Sequence, residues 1–255
     1  MDQITNTNIS DSAGKTVSRF GFWVAVFTAI FSAVALAFAV MTPPRSGLFC
    51  VGNCISYPYT DAAQFVPKDY IWMYPAIFMS PLLVVLVACI YHYASANKKI
   101  FGNIALSFAV FSAVTLVTDY FIQLTVMQPS FLKGEVEGLS LFSQYNPHGV
   151  FIALEDIGYL MMGVTFLFAA AALGSRDRLE RVTRSLFVIS SILAFGSFIV
   201  LAMVFGSNLE YRFEVGVILI DWLTLIVAGV LLSLVFKRAG RTESFYRDQG
   251  SSSQP

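Results

Sequence analysis

Six long apolar segments, separated by shorter polar ones, dominate the pattern of hydrophobic and polar positions along the chain. Each apolar segment has about the ~20 residues that an α-helix needs to cross ~30 Å of hydrocarbon. The pattern therefore predicts an all-α, polytopic membrane protein with six transmembrane helices in one bundle. The predicted spans cover residues 20–41, 70–94, 103–127, 150–173, 186–206 and 215–236.

The two ends of the chain lack this apolar pattern. Residues 1–19 are rich in Asn, Ser and Thr, which predicts a mobile polar tail. Residues 237–255 begin with basic residues and continue with Ser and Gln, which predicts a basic and then disordered tail. The transmembrane domain is therefore predicted to cover residues 20–236.

Composition supports a membrane protein and excludes one class of partner. The chain is 56% hydrophobic and 13% charged, whereas soluble domains contain ~25% charged residues. The net charge is zero, so the chain has no overall field that would attract nucleic acid. The predicted partners are the lipid bilayer and a small solute or ion.

The uneven placement of Lys and Arg predicts the orientation of the bundle. Twelve of the 16 basic residues lie in the tails and in the loops that follow the second and fourth spans. Basic residues concentrate on the cytoplasmic side of a membrane, so both termini are predicted to be cytoplasmic. The loops formed by residues 42–69, 128–149 and 207–214 are then predicted to face outward.

Two cysteines, Cys50 and Cys54, lie close together in the first of these outer loops. In an oxidising compartment, they could form a small disulfide. They could equally be two thiols at a tight turn, and the sequence leaves both interpretations open.

Acidic residues inside the predicted spans indicate a functional site. A charged residue at the centre of a membrane helix costs about 2.5–3.5 kcal/mol, and such residues usually have a function. Four acids interrupt the spans: Asp119, Glu155, Asp156 and Asp221.

Three of these acids are predicted to share one depth in the membrane. Asp119 lies eight residues before Met127, Glu155 eight residues after Pro147 and Asp221 eight residues after Phe213, where the outer ends of their helices are predicted. At 1.5 Å per residue, each is about 12 Å below that end. The spacing predicts a carboxylate cluster in the outer half of the bundle, whereas Asp156 points about 100° away from Glu155 and is predicted to make a different contact.

Polar residues near the outer ends of the helices are predicted to surround this cluster. Gln123 shares a helix face with Asp119. Asn146 and Pro147 form an N-cap signal that places His148 in the first turn of the fourth span, two turns before Glu155. Together with Arg212, these residues complete an outward-opening pocket.

Closely spaced carboxylates can hold a proton, a cation or a metal ion. The predicted ligand- or proton-binding residues are Asp119, Gln123, Glu155, Asp156, Asp221, Arg212 and His148. A metal ion would bind Asp119, Glu155 and Asp221, and a divalent cation is the only candidate cofactor. The alternative is structural, with neutral acids that form hydrogen bonds between helices.

Three functions fit these residues. Of these, a function other than catalysis is favoured. The first is the binding or translocation of a small solute or cation, coupled to protonation of the carboxylates. The second is a membrane-embedded enzyme that acts on a lipid or amphiphile, with His148 and Glu155 as catalytic acid and base. The third is a non-catalytic sensor or assembly protein.

Three motifs resemble a family of bacterial six-helix integral membrane proteins with no established activity. They are GLFCVGNCISYPY, DYFIQLTVMQPSFLKGEVEGLSLFSQYNPHGVFIALEDIGYLMM and LEYRFEVGVILIDWL. The resemblance implies the six-helix fold and a location in the bacterial cytoplasmic (inner) membrane. It implies no catalytic or binding residues.

Overall fold

A computed structural model describes the backbone of residues 2–251 and the side chains of residues 16–241. Within that part of the chain, every regular element is helical and no strand is present. The predicted all-α fold is therefore confirmed.

Seven α-helices and several short turns make up the described chain. The α-helices are α1 (Asp2–Met41), α2 (Met73–Tyr93), α3 (Lys99–Ile122), α4 (Gln128–Lys133), α5 (Val150–Ala172), α6 (Arg178–Phe205) and α7 (Tyr211–Ser251). A π-helical turn, Gln123–Met127, joins α3 to α4. The 3-10 helices are Thr60–Phe65, Lys68–Tyr70, Ala96–Lys98, Leu139–Leu141 and Gly206–Asn208.

Six stretches of the described chain are long and apolar enough to cross a membrane, which confirms the predicted number of spans. They are Thr16–Met41, Lys68–Tyr93, Ala96–Lys133, Val150–Ala172, Arg178–Asn208 and Tyr211–Arg241. The cytoplasmic location of both termini stays a prediction. The side chains of residues 1–15 and 242–255 lie outside the described part, and the assignment of segments 1–19 and 237–255 as tails also stays a prediction.

The six long helices form a closed ring. In order around the ring, α1 packs on α2, α2 on α3, α3 on α5, α5 on α6, α6 on α7 and α7 on α1. Helix α5 also contacts α2 and α7 across the ring. It is therefore the helix best placed to bring side chains together in the interior.

A disulfide marks one end of the bundle. The structure joins Cys50 to Cys54, with their Cα atoms 5.9 Å apart, and so selects the first of the two interpretations that the sequence left open. The loop that contains them connects the C-terminus of α1 to the N-terminus of α2. We call this end of the bundle, where α5 and α7 also begin, the disulfide end.

A buried ion pair holds the loop 42–72 in place. Arg45 donates hydrogen bonds from Nε and Nη2 to the two carboxylate oxygens of Asp69, at 2.8 and 3.3 Å. The guanidinium also lies 4.1 Å from the centre of the Phe65 ring. Hydrogen bonding to Asp69 raises the pKa of Arg45 above its ordinary value, so the guanidinium stays charged.

The N-terminus of α5 differs from the sequence prediction. The helix begins at Val150, after Gly149 in extended conformation, rather than at Pro147. The side chain of Asn146 accepts a hydrogen bond from the His148 backbone N–H at 3.0 Å. Because Asn146 forms a local turn instead of capping the helix, His148 lies outside α5.

Small residues allow α1 and α7 to pack closely in the half of the bundle away from the disulfide end. A Cβ atom added at Gly229 would lie 2.7 Å from the Ala25 carbonyl oxygen and 2.8 Å from the Ala29 Cβ. Small side chains permit such close contact between membrane helices. Gly216, on the same helix, has no atom within 4 Å of an added Cβ.

We expect Gly229→Ala to destabilise the protein and Gly216→Ala to leave it as stable as the wild type or more so. Overpacking at Gly229 costs about 1–3 kcal/mol, which exceeds the ~1 kcal/mol that alanine gains over glycine within a helix. Thermal unfolding of the detergent-purified variants measures the difference. Equal melting temperatures for the two variants would contradict the close α1–α7 contact.

Candidate functional site

Two carboxyl groups meet in the interior of the bundle near the disulfide end. Glu155 of α5 and Glu214 of α7 are close enough for their charges to interact. The Oε2 atoms of both residues are buried and accept no hydrogen bond from any described residue. Two buried carboxylates this close cannot both be charged, so one of them carries a proton. The geometry therefore suits a pair that shares one proton.

A chain of three donors supports Glu155. Trp222 Nε1 donates to the Tyr159 hydroxyl at 2.9 Å, and the Tyr159 and Tyr120 hydroxyls lie 2.7 Å apart. The Tyr120 hydroxyl donates to Glu155 Oε1 at 2.7 Å. Because every donor in this chain points toward Glu155, the chain stabilises a negative charge on that carboxyl. The shared proton then belongs to Glu214.

Two further acids lie near this pair. Asp119 of α3 and Asp156 of α5 are electrostatic neighbours of Glu214. Asp119 Oδ2 and Asp156 Oδ1 are buried, and neither has a hydrogen-bond partner in the described part of the chain. We call Asp119, Glu155, Asp156 and Glu214 the carboxyl cluster.

Asp221 lies away from the carboxyl cluster, which corrects the prediction of three acids at one depth. It follows Glu214 by seven residues on α7 and is therefore about 10 Å farther from the disulfide end. The prediction counted from helix ends at Pro147 and Phe213, but α5 begins at Val150 and α7 at Tyr211. Asp221 is fully buried near Tyr159, and both of its carboxylate oxygens lack a partner among residues 16–241.

Glu214 is the residue that the sequence analysis missed. It was assigned to the outer loop 207–214 because the apolar run begins at Val215. The structure places Glu214 in the first turn of α7. Its spacing of seven residues from Asp221, which puts both on one helix face, was the signal that could have identified it.

Gln123 makes a structural contact, and its predicted role at the rim of the pocket stays a prediction. Its side-chain Nε2 donates to the Phe142 carbonyl oxygen at 2.6 Å, and its Oε1 is buried without a partner in the described structure. The residue therefore ties the loop 128–149 to the end of α3. Sequence spacing gave its helix face but could not show this partner.

His148 and Arg212 gather around Glu210 instead of covering the carboxyl cluster. The His148 side chain is 61% exposed, and its Nε2 lies 4.0 Å from Glu210 Oε1. Arg212 lies 3.5 Å from Glu210 Oε2 and 4.4 Å above the Phe205 ring. Glu155, in contrast, is fully buried. The start of α5 at Val150 explains the difference, because His148 is not aligned with Glu155 on a helix.

The predicted metal site is not assembled. Among the residues whose side chains are described, no three His, Cys, Asp or Glu residues are close enough together to hold a metal ion. Asp119, Glu155 and Asp221 therefore do not form such a group.

A cleft of about 370 Å³ reaches the carboxyl cluster from the disulfide end. Glu214 lies in its wall, together with the aromatic side chains of Trp72, Trp222 and Tyr211. The Arg45–Asp69 pair also lines it. The cleft therefore connects the bundle surface to the proton-sharing pair.

Comparison with protein-family models, curated proteins and solved structures gives no match. The resemblance to bacterial six-helix membrane proteins is therefore not shown, and the inner-membrane location that it implied stays a prediction. The site is interpreted from its own geometry.

We expect the stability of the wild-type protein to fall as the pH rises above ~4.3, the value at which an unfolded glutamate loses its proton. The folded protein keeps the proton shared by Glu155 and Glu214, so raising the pH favours the unfolded state. Glu214→Gln supplies a permanent N–H donor to Glu155 and should flatten this dependence by at most about 1.4 kcal/mol per pH unit. Melting temperatures measured across pH test this.

Glu137→Gln is the matched control for this experiment, because Glu137 is exposed in the loop 128–149. The control should keep the wild-type pH dependence. A Glu214→Gln variant with the same pH dependence as the wild type would contradict the shared proton.

Proposed function

We propose that this membrane protein binds a small organic cation, an amine in its ammonium form, and exchanges it for the proton of Glu214. The observation that supports this most directly is the position of Glu214 in the wall of the cleft beside Glu155, with a buried Oε2 atom that accepts no hydrogen bond from the described residues. An ammonium group supplies N–H donors and a positive charge, so it can replace the proton between the two carboxylates.

The balance of charges in the cleft favours a cation. The guanidinium of Arg45 is already neutralised by Asp69 through two hydrogen bonds, and the pair is almost fully buried. Arg45 therefore offers little attraction to an anion. Glu214 is the acidic group of the cleft whose Oε2 atom accepts no hydrogen bond from the described residues, and a cation can take the place of its proton.

The lining of the cleft favours an organic cation over a metal ion. Trp72, Trp222 and Tyr211 present aromatic rings, and a cation within about 6 Å of such a ring is stabilised by about 0.5–2 kcal/mol. Calcium, by comparison, takes six to eight oxygen ligands. The described residues offer no group of three metal ligands.

Asp221 gives the released proton a second carboxyl deeper in the bundle. It lies near Tyr159, which belongs to the donor chain that ends at Glu155. Movement of a proton from the carboxyl cluster toward Asp221 would couple binding at the cleft to translocation. In the predicted orientation, the cleft opens outward.

The enzyme and the sensor or assembly functions stay predictions from the sequence. The enzyme requires His148 and Glu155 to act on one substrate, and the nearest acid to the His148 ring is Glu210 instead. No contact among the described residues favours either alternative over cation binding.

We expect propylammonium to bind the detergent-purified protein with release of about one proton per bound cation. Calorimetric titration in two buffers with different ionisation enthalpies measures both quantities. Glu214→Gln should abolish binding, because the amide neither accepts the positive charge nor releases a proton. Glu137→Gln should bind as the wild type does. Binding without proton release would contradict the exchange, and the absence of binding at millimolar concentration would contradict the proposed function.

We expect Asp221→Asn to retain propylammonium binding and to reduce proton-coupled flux by at least tenfold. The carboxyl cluster is unchanged in this variant, but the deeper proton acceptor is lost. Flux is measured in proteoliposomes as the change of internal pH after an amine gradient is imposed, with protein-free liposomes to subtract passive diffusion. Wild-type flux in this variant would contradict a role for Asp221 in translocation.

A further inference from the structure

The cleft has a second, apolar half that the proposed function does not use. Its walls are formed by the last turns of α1 and the first turns of α7, and its apolar lining includes Leu36, Ala39, Val40, Val215, Ile218 and Leu219. The side chains of Glu214 and the aromatic residues form the other half. The cleft is therefore amphipathic, with its polar half adjacent to the carboxyl cluster.

The apolar half opens on the side of the bundle that faces lipid. Val40 is 72% exposed, Val215 is 41% exposed and Leu219 is 39% exposed. Exposed apolar side chains on a membrane span lie against acyl chains, since the span must cross the hydrocarbon layer. A molecule can therefore enter between α1 and α7 directly from the bilayer.

The packing of α1 against α7 accounts for this opening. In the half of the bundle away from the disulfide end, Gly229 lets the two helices approach to backbone contact with Ala25. At the disulfide end, Ala39 and Ile218 line the cleft instead of filling it. The same helix pair is thus tightly packed at one end and separated at the other.

The polar groups of the cleft limit the head group of such a molecule. Arg45 is paired with Asp69, and Ser46 Oγ lies 2.8 Å from the Tyr211 hydroxyl. Glu214 is left as the acidic group whose Oε2 atom accepts no hydrogen bond from the described residues. Charge complementarity therefore selects a head group that is positive and carries N–H donors.

We infer that the ligand is a single-chain amphiphilic amine, with its ammonium group at Glu214 and its alkyl chain between α1 and α7. The volume of about 370 Å³ is near the lower end of the ~300–1,000 Å³ typical of small-molecule sites, which suits one chain better than a two-chain phospholipid. This inference rests on the proposed function, because both place an ammonium group at Glu214. It adds the substrate class and the route of entry.

The tryptophans provide a direct readout of occupancy. The chain has three, and two of them, Trp72 and Trp222, line the cleft with their rings 6.0 Å apart. The third, Trp23, is 50% exposed on α1. In a Trp23→Phe background, the emission of the protein therefore reports on the cleft.

The experiment compares propylamine with decylamine in lipid nanodiscs that contain the Trp23→Phe protein. Ala39→Phe adds a ring to the apolar half of the cleft, whereas Ala37→Phe adds the same ring at an exposed position on the same helix and is the matched control. Both variants have the same bilayer, so the partitioning of decylamine into lipid cancels in the comparison. Leu219→Phe obstructs the opposite wall and replaces Ala39→Phe if that variant does not fold.

The inference predicts that Ala39→Phe weakens decylamine binding at least tenfold and propylamine binding less than twofold, while Ala37→Phe changes neither. Burial of the chain contributes up to about fourfold per methylene, so the loss should increase along a series of amines of increasing chain length. Glu214→Gln should abolish the binding of both amines.

Other results would overturn the inference in distinguishable ways. If Glu214→Gln abolishes the binding of both amines but Ala39→Phe affects them equally, the ligand is a small cation. The inference of an amphiphilic ligand is then wrong. If decyl phosphate binds as well as decylamine and Glu214→Gln changes neither, the cleft takes acyl chains without regard to charge, and the amine head group is wrong. If neither amine changes the emission of the wild-type cleft, both the inference and the proposed function are wrong.

Discussion

The contact between Glu155 and Glu214 is the constraint on which the rest of the site depends. Two neighbouring carboxylates cannot both be charged in an apolar bundle, because their repulsion adds to the cost of removing each charge from water. One proton resolves this, and the chain Trp222–Tyr159–Tyr120 stabilises the remaining charge on Glu155. The proton on Glu214 is held by geometry, and a ligand that supplies equivalent donors can take its place.

The same helices that create this pair also give it access to the surface. Helix α7 carries Glu214 in its first turn, and α7 packs along α1, which closes the ring of spans. The buried Arg45–Asp69 pair holds the adjoining loop in place. Asp69 also neutralises the positive charge of Arg45, so Arg45 does not attract an anion into the cleft. The result is a cleft in which the Glu214 Oε2 atom accepts no hydrogen bond from the described residues. The lining of the cleft passes from aromatic and polar near Glu214 to apolar where it meets the lipid.

Part of the site could be predicted from the sequence because charge inside an apolar run is conspicuous. Asp119, Glu155 and Asp156 were identified in this way, and the structure groups all three near Glu214. Glu214 itself was missed, because an acid at the edge of an apolar run resembles a loop residue. His148 was placed beside Glu155 by a helix that begins three residues later than predicted, and it lies instead near Glu210.

The sequence by itself determined the all-α fold and the number of spans, because the length and hydrophobicity of each segment are local properties that a bilayer converts directly into helices. It also identified the acids in the interior of those spans, although not Glu214 at the edge of one. Only the tertiary structure decided which acids meet, since that depends on where each helix begins and on which helices are neighbours in the ring. A shift of two or three residues in the start of a helix moves a side chain by several ångströms along the helix axis and also rotates it about that axis. Such shifts separate Asp221 from the carboxyl cluster and bring Glu214 into it.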